Sequence, residues 1–122
     1  MADNYNLYAK QFESNIRKTW KELHEDKDFS DVTLACESKQ ILAHKIILSS
    51  ASPIFKNILK LNTNKHPIIY LNGVKCRYLE YLVTFIYEGE LNIVEAELLN
   101  FLEVAKDLKI KGLSEENEHS IN

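Results

Sequence analysis

Phe29-Ser30-Asp31-Val32-Thr33-Leu34-Ala35-Cys36-Glu37-Ser38-Lys39-Gln40-Ile41-Leu42-Ala43-His44-Lys45-Ile46-Ile47-Leu48-Ser49-Ser50-Ala51-Ser52-Pro53-Ile54-Phe55 contains the change of period on which the fold turns. Val32, Leu34 and Cys36 alternate with Thr33 and Ala35. That is the pattern of a strand, whose successive side chains point to opposite faces. Glu37-Ser38-Lys39 supplies a turn and Gln40-Ile41-Leu42-Ala43 a second strand, so the two make a hairpin. From His44 to Ser50 the apolar spacing becomes helical. Ser52-Pro53 then starts another helix: the serine side chain accepts from an orphan backbone N–H, and proline suits the first helical position. Ile54, Phe55, Ile58, Leu59 and Leu61 carry that helix onward.

Upstream, Tyr5 to Ala9 is short and partly aromatic and reads as an extended arm. Phe12, Ile16, Trp20 and Leu23 recur at helical spacing and form one face of a helix over about Gln11 to Glu25. Downstream, Asn62-Thr63-Asn64-Lys65-His66 is a loop. Pro67 to Leu71 is a short strand, with proline tolerated at its first residue. Leu79, Leu82, Val83 and Ile86 mark a helix over about Lys75 to Tyr87, stopped by Glu88-Gly89. Glu90-Leu91-Asn92-Ile93 is a short extended piece. Leu98, Phe101, Leu102 and Ala105 form the stripe of a last helix from about Glu95 to Leu108, with Gly112 as terminator. A small mixed sheet covered by a cluster of helices is an α+β arrangement.

The 122 residues suit one domain over 1–113, with an arm at 1–10 and a polar, acidic tail or start of a linker at 114–122. A chain that stops in a linker suggests a domain cut from a longer protein. At 45% hydrophobic and 27% charged, the composition is globular rather than disordered. A net charge of −3 argues against direct nucleic-acid binding, which wants clustered Lys and Arg. No apolar run approaches the roughly 18 residues that span a membrane. The polar start Met1-Ala2-Asp3-Asn4 lacks a secretory pattern. Cys36 and Cys76 each sit in an apolar pattern. A disulfide between them is compatible with the count, but two reduced thiols in a nuclear or cytosolic protein is the expected state.

Little in the chain suggests chemistry. Asp26, Asp28, Ser30 and Glu37 fall in a calcium-loop register, but Asp31 stands where the sharp turn requires glycine, and a strand would run through the loop. His24, His44, His66 and His119 are scattered, and with the cysteines they form no paired zinc spacing. Neither a nucleophile on a strained turn nor a glycine-rich phosphate cradle is present. The expectation is no enzyme, no metal and no cofactor. Two features remain. Asp31 opens an apolar strand and Lys45 enters an apolar helix. Charges are ordinarily solvated, but if both point inward they must pair. The face Phe12, Ile16, Trp20, Leu23 either joins the core or, with the aromatic arm before it, packs on a second copy.

The strings Phe29 to Leu34 and Leu42 to Phe55 strongly resemble the central signature of BTB/POZ domains. Tyr87-Glu88-Gly89-Glu90-Leu91 resembles that family's later Tyr-x-Gly-x-aliphatic element, and Leu102 to Leu113 its closing helix. The likeness covers about Tyr5 to Leu113. Within the family, His66-Pro67-Ile68-Ile69-Tyr70-Leu71 and Leu108 to Leu113 look most like the Tramtrack-type group of arthropod transcription and chromatin factors. That group begins Phe-x-Leu-Arg-Trp-Asn, whereas the stretch here is Tyr5-Asn6-Leu7-Tyr8-Ala9-Lys10 and shares only Leu7.

The resemblance implies a BTB/POZ fold and an intertwined homodimer, with assembly beyond the dimer in Tramtrack-type members. The interface would hold Tyr5 and Leu7 of the arm, Phe12, Ile16, Trp20 and Leu23 of the first helix, and Leu91 and Ile93, where a partner's arm adds a strand. Asp31 and Lys45 match the family's charged pair near the dimer groove. Other BTB proteins or corepressors are further implied partners, and the host is a nuclear regulator with zinc fingers or another DNA-binding module. The alternative is a substrate adaptor of a cullin-3-type ubiquitin ligase, using the surface around the loop before the Asn62–Leu71 segment and the helices nearby.

Overall fold

The computed structural model describes residues 2–113. Helix α1 (Phe12–Asp26) leads into the hairpin β1 (Val32–Cys36) and β2 (Lys39–Ala43). Helices α2 (Lys45–Ala51) and α3 (Pro53–Leu61), strand β3 (Ile68–Tyr70), and helices α4 (Cys76–Glu88) and α5 (Glu95–Asp107) follow. Each element lies within a residue or two of the expected span. The expected tail at 114–122 lies outside the described residues.

The sheet has the order β2-β1-β3. β1 pairs antiparallel with β2, Val32 opposite Ala43 and Cys36 opposite Lys39, and parallel with β3, Thr33 opposite Ile68 and Ala35 opposite Tyr70. The sheet is therefore mixed, and its central strand is buried along its whole length. Val32 and Leu34 of β1, Ile47 and Leu48 of α2, Phe55 of α3, Leu79, Leu82 and Val83 of α4, and Phe101 of α5 form the core.

Local chemistry sets the boundaries. Ser52 is fully buried and does two jobs. Its Oγ accepts the Phe55 N–H at 3.1 Å, capping α3, and donates to the Leu108 carbonyl at 2.6 Å, which ties α3 to the end of α5. α4 ends at Gly89, whose left-handed φ of 78° lets its N–H return to the Phe85 carbonyl. A Cβ there would sit 3.3 Å from Nη1 of Arg17, so α1 crosses close to the end of α4. α1 itself ends at Lys27, also left-handed at φ 63°.

One expectation is corrected. Cys36 and Cys76 are not two reduced thiols but a disulfide, with Cα atoms 5.6 Å apart. The hairpin tip and the first turn of α4 meet at the far end of the sheet, a proximity that a separation of 40 residues does not reveal.

Candidate interaction surface

α1 is the exceptional element: none of its residues is fully buried, although its apolar face is regular. Trp20 and Leu23, in its C-terminal half, pack against the core. His24 stacks on Tyr87 with ring centroids 5.2 Å apart, and its Nδ1 donates to Oε2 of Glu88 at 2.9 Å. These contacts bolt the C-terminal half of α1 to the end of α4. In the N-terminal half, on the same face, Phe12 is 60% exposed and Ile16 40%.

That open face continues into a larger depression. Phe12, Ile16 and Trp20 line a groove of ≈ 330 Å³ closed on its other side by Ile86, Tyr87 and Gly89. A second groove of ≈ 440 Å³ also reaches Gly89 and is lined by Phe85, Leu91, Ile93, Leu98 and Leu102. The structure thus places Phe12, Ile16 and Trp20 along one groove and Leu91 and Ile93 along another, and both grooves reach Gly89. Leu23 lies on the same helix face but against the core. Tyr5 and Leu7 stand outside both grooves and are 84% and 90% exposed.

Two segments near these grooves in sequence carry no regular secondary structure. Residues 90–93 lie outside any strand, and among the described residues they make no main-chain to main-chain hydrogen bond. The same holds for the arm, residues 2–10. Unpaired main-chain groups seek partners, and two segments of this kind are complementary to one another.

Tyr87, on the wall of the first groove, belongs to a polar cluster that the sequence reading missed. The phenol oxygen of Tyr87 lies 2.9 Å from the His44 backbone N–H and 2.7 Å from His44 Nδ1. His44 Nε2 meets the Asp28 carbonyl oxygen at 2.5 Å. A carbonyl only accepts, so Nε2 carries the proton and Nδ1 accepts from the phenol. Tyr87 in turn accepts from the main chain, so each group of the cluster has a partner. Burial pushes the Tyr87 phenol up to about 12, and the Asp31 carboxylate adds to the shift. Burial also lowers the Lys27 ammonium from its ordinary value. The one signal available in sequence was that His24 and Tyr87 each adjoin a predicted apolar helix face.

Asp31 and Lys45 are half-buried neighbours joined through main chain. Asp31 Oδ1 accepts the Lys45 backbone N–H at 2.7 Å at the start of α2, while Lys45 Nζ reaches the Asn64 carbonyl at 3.1 Å. Among the described residues no ion pair joins their side chains. The aspartate acts as a carboxylate at a helix N-terminus, where negative charge is favoured. No group of three or more His, Cys, Asp or Glu among the described residues is placed to hold a metal, and no buried side-chain nitrogen or oxygen among them lacks a hydrogen-bond partner.

Known proteins resemble this chain in sequence and in fold. The profile of the BTB/POZ domain matches residues 20–122. The chain is similar to the Longitudinals lacking protein-like of Drosophila melanogaster, 44% identical over 117 residues and covering 94% of this chain and 92% of that protein. Protein abrupt of the same species is 41% identical over 93% of this chain, and Protein tramtrack, alpha isoform, 39% over 87%, but the chain spans only 13% of the length of each. Among solved structures, the BTB domain of human Gigaxonin superposes with a TM-score of 0.74 over 88% of this chain and 89% of that one, at 20% identity, a likeness of fold. The chain therefore belongs to the BTB/POZ domain family, whose members are protein–protein interaction modules.

Proposed function

We propose that this domain pairs with copies of itself and serves as the homo-oligomerisation module of a nuclear transcription or chromatin regulator. The carrying observation is the open half of α1. Phe12 and Ile16 are exposed on a face whose other half is docked, and the groove they line meets at Gly89 a second groove lined by Leu91 and Ile93. A two-fold partner laying its own α1 on this face buries the same residues from both sides, as an isologous contact requires. Its arm, carrying Tyr5 and Leu7, adds a strand to residues 90–93 and satisfies both sets of open main-chain groups. Interfaces of this obligate kind bury roughly 2,000–5,000 Å². In a longer host, pairing raises the effective concentration of tethered DNA-binding units at clustered sites. The test is light scattering over a concentration series, with and without residues 1–10. A dimer of the full chain is expected, and a 14.2 kDa monomer at low micromolar concentration overturns the reading.

A second reading, the cullin-3-type adaptor, draws on a different surface. Leu61 at the end of α3, and Ile68 and Tyr70 of β3, expose apolar area around the 62–71 segment. Tight pull-down of a cullin N-terminal domain favours it, and loss of that binding on Leu61→Asp locates it.

A further inference from the structure

We propose that Cys36–Cys76 is a reversible redox latch that sets the order of the loop between β3 and α4. The inference is independent of self-pairing. Residues 71 to 76 leave β3 and enter α4, and both ends of this loop are held by adjacent residues of β1. The Leu71 N–H donates to the Ala35 carbonyl at 2.9 Å, and Cys76 is bonded to Cys36. One end is held by a hydrogen bond and the other by a covalent bond that a thiol can open. Asn72, Val74 and Lys75 of this loop line a groove of ≈ 600 Å³ together with Glu103 and Asp107 of α5. Releasing Cys76 frees the loop residues of this groove relative to α5.

The two sulfurs differ in access. Cys36 is buried at 5% exposure at the end of β1, while Cys76 is half-buried at the first residue of α4 between exposed Lys75 and Arg77. Lys75 draws a small anionic thiol of the glutathione class, Arg77 being paired with Glu97 at 3.4 Å, and its thiolate attacks Cys76 Sγ. The S–S bond breaks, Cys36 leaves as thiolate and takes up a proton, and a mixed disulfide forms at Cys76. A second thiol then attacks the mixed disulfide and releases the Cys76 thiol. The sum is one protein disulfide and two thiols giving two protein thiols and one small disulfide, a two-electron exchange that reverses with the oxidised small disulfide as oxidant. Both sulfurs have polar neighbours ready for the reduced state. The Lys39 carbonyl lies 3.5 Å from Cys36 Sγ, and Ser38 Oγ lies 3.8 Å from Cys76 Sγ. Reduction therefore leaves neither thiol facing only apolar atoms.

The test equilibrates the full chain in buffers of graded reduced-to-oxidised glutathione ratio. Trapped thiols are counted by mass, and amide hydrogen exchange is followed along the chain. The expected result is two thiols appearing together between the extremes of the series. Exchange rises several-fold at 72–76 on reduction while α1 and the oligomer mass stay unchanged, and Tm falls by roughly 10–15 °C at fixed chain concentration. Cys76→Ser in oxidised buffer reproduces the reduced exchange pattern. The proposal is overturned if no disulfide forms at the oxidised extreme, if none opens at the reduced extreme, or if opening leaves exchange at 72–76 unchanged.

Discussion

Tyr87 and His44 are joined twice. The phenol oxygen takes the His44 backbone N–H at 2.9 Å and meets the imidazole Nδ1 at 2.7 Å, both buried. Through His44 Nε2 and the Asp28 carbonyl, this pair fastens the segment between α1 and β1 to the start of α2 and the end of α4. It also forms the floor on which His24 and the C-terminal half of α1 rest.

Removing the phenol oxygen alone leaves the His44 N–H and Nδ1 buried without partners. Tyr87→Phe is therefore expected to lower stability by about 2–3 kcal/mol, the cost of stranding buried polar groups rather than of losing one exposed bond. Urea denaturation at fixed chain concentration measures it. Trp20 and Leu23 remain packed, so the oligomer mass should not change.

The same phenol predicts how the fold fails in alkali. In the unfolded chain it titrates near its ordinary 10.0, and in the folded chain only at about 12, because burial disfavours the phenolate. Below pH 9 both states are protonated and the group contributes nothing to the pH dependence. Between pH 10 and 12 the unfolded chain has released the proton and the folded chain still holds it. Stability therefore falls as pH rises, with a slope approaching about 1.4 kcal/mol per pH unit. Denaturation across that range, wild type against Tyr87→Phe, separates this component, since the variant lacks it. The wild type alone should show a late tyrosine ionisation by ultraviolet absorbance.

Lys27 closes α1 in a left-handed conformation that costs an L-residue energy, and burial disfavours its charge. Lys27→Gly keeps the N–H that returns to the Leu23 carbonyl at 3.0 Å and relieves both penalties. A gain of about 0.5–1 kcal/mol is expected, offset in part by the extra freedom of glycine in the unfolded chain. The urea midpoint should rise with the m-value unchanged.

If α1 is the pairing helix, truncating its open face should act on association and leave the fold intact. Phe12→Ala and Ile16→Ala are exposed in one chain, so each is expected to change the unfolding of a dissociated chain little. Each should weaken the dimer at least about tenfold, or ~1.4 kcal/mol. Sedimentation equilibrium measures the change. Trp20→Ala should behave differently and destabilise the single chain as well, because Trp20 packs on the core.

Much of this molecule is legible from local spacing. The alternation through Val32–Cys36, the Ser52-Pro53 start and the Glu88-Gly89 stop place β1, α3 and α4 without any long-range information, because a period of two or of 3.6 residues is a property of neighbouring side chains. The strings around Phe29–Phe55 carry the family as well. The apolar face of α1 was equally visible, with Phe12, Ile16, Trp20 and Leu23 indistinguishable in spacing.

Only the packed chain divides that face. α4 stops at Gly89 where Arg17 crosses it, and along α1 Trp20 and Leu23 pack on the core while Phe12 and Ile16 stay open. Contacts between distant segments decide the rest: His24 on Glu88, His44 on Tyr87, Cys36 on Cys76, and Asp31 on the main chain of Lys45 rather than its ammonium. Sequence alone determined the elements, their order and the family, because those follow from short-range periodicity and signature. Tertiary structure alone decided which apolar residues stay open and which polar groups meet, because those depend on where helices end in space.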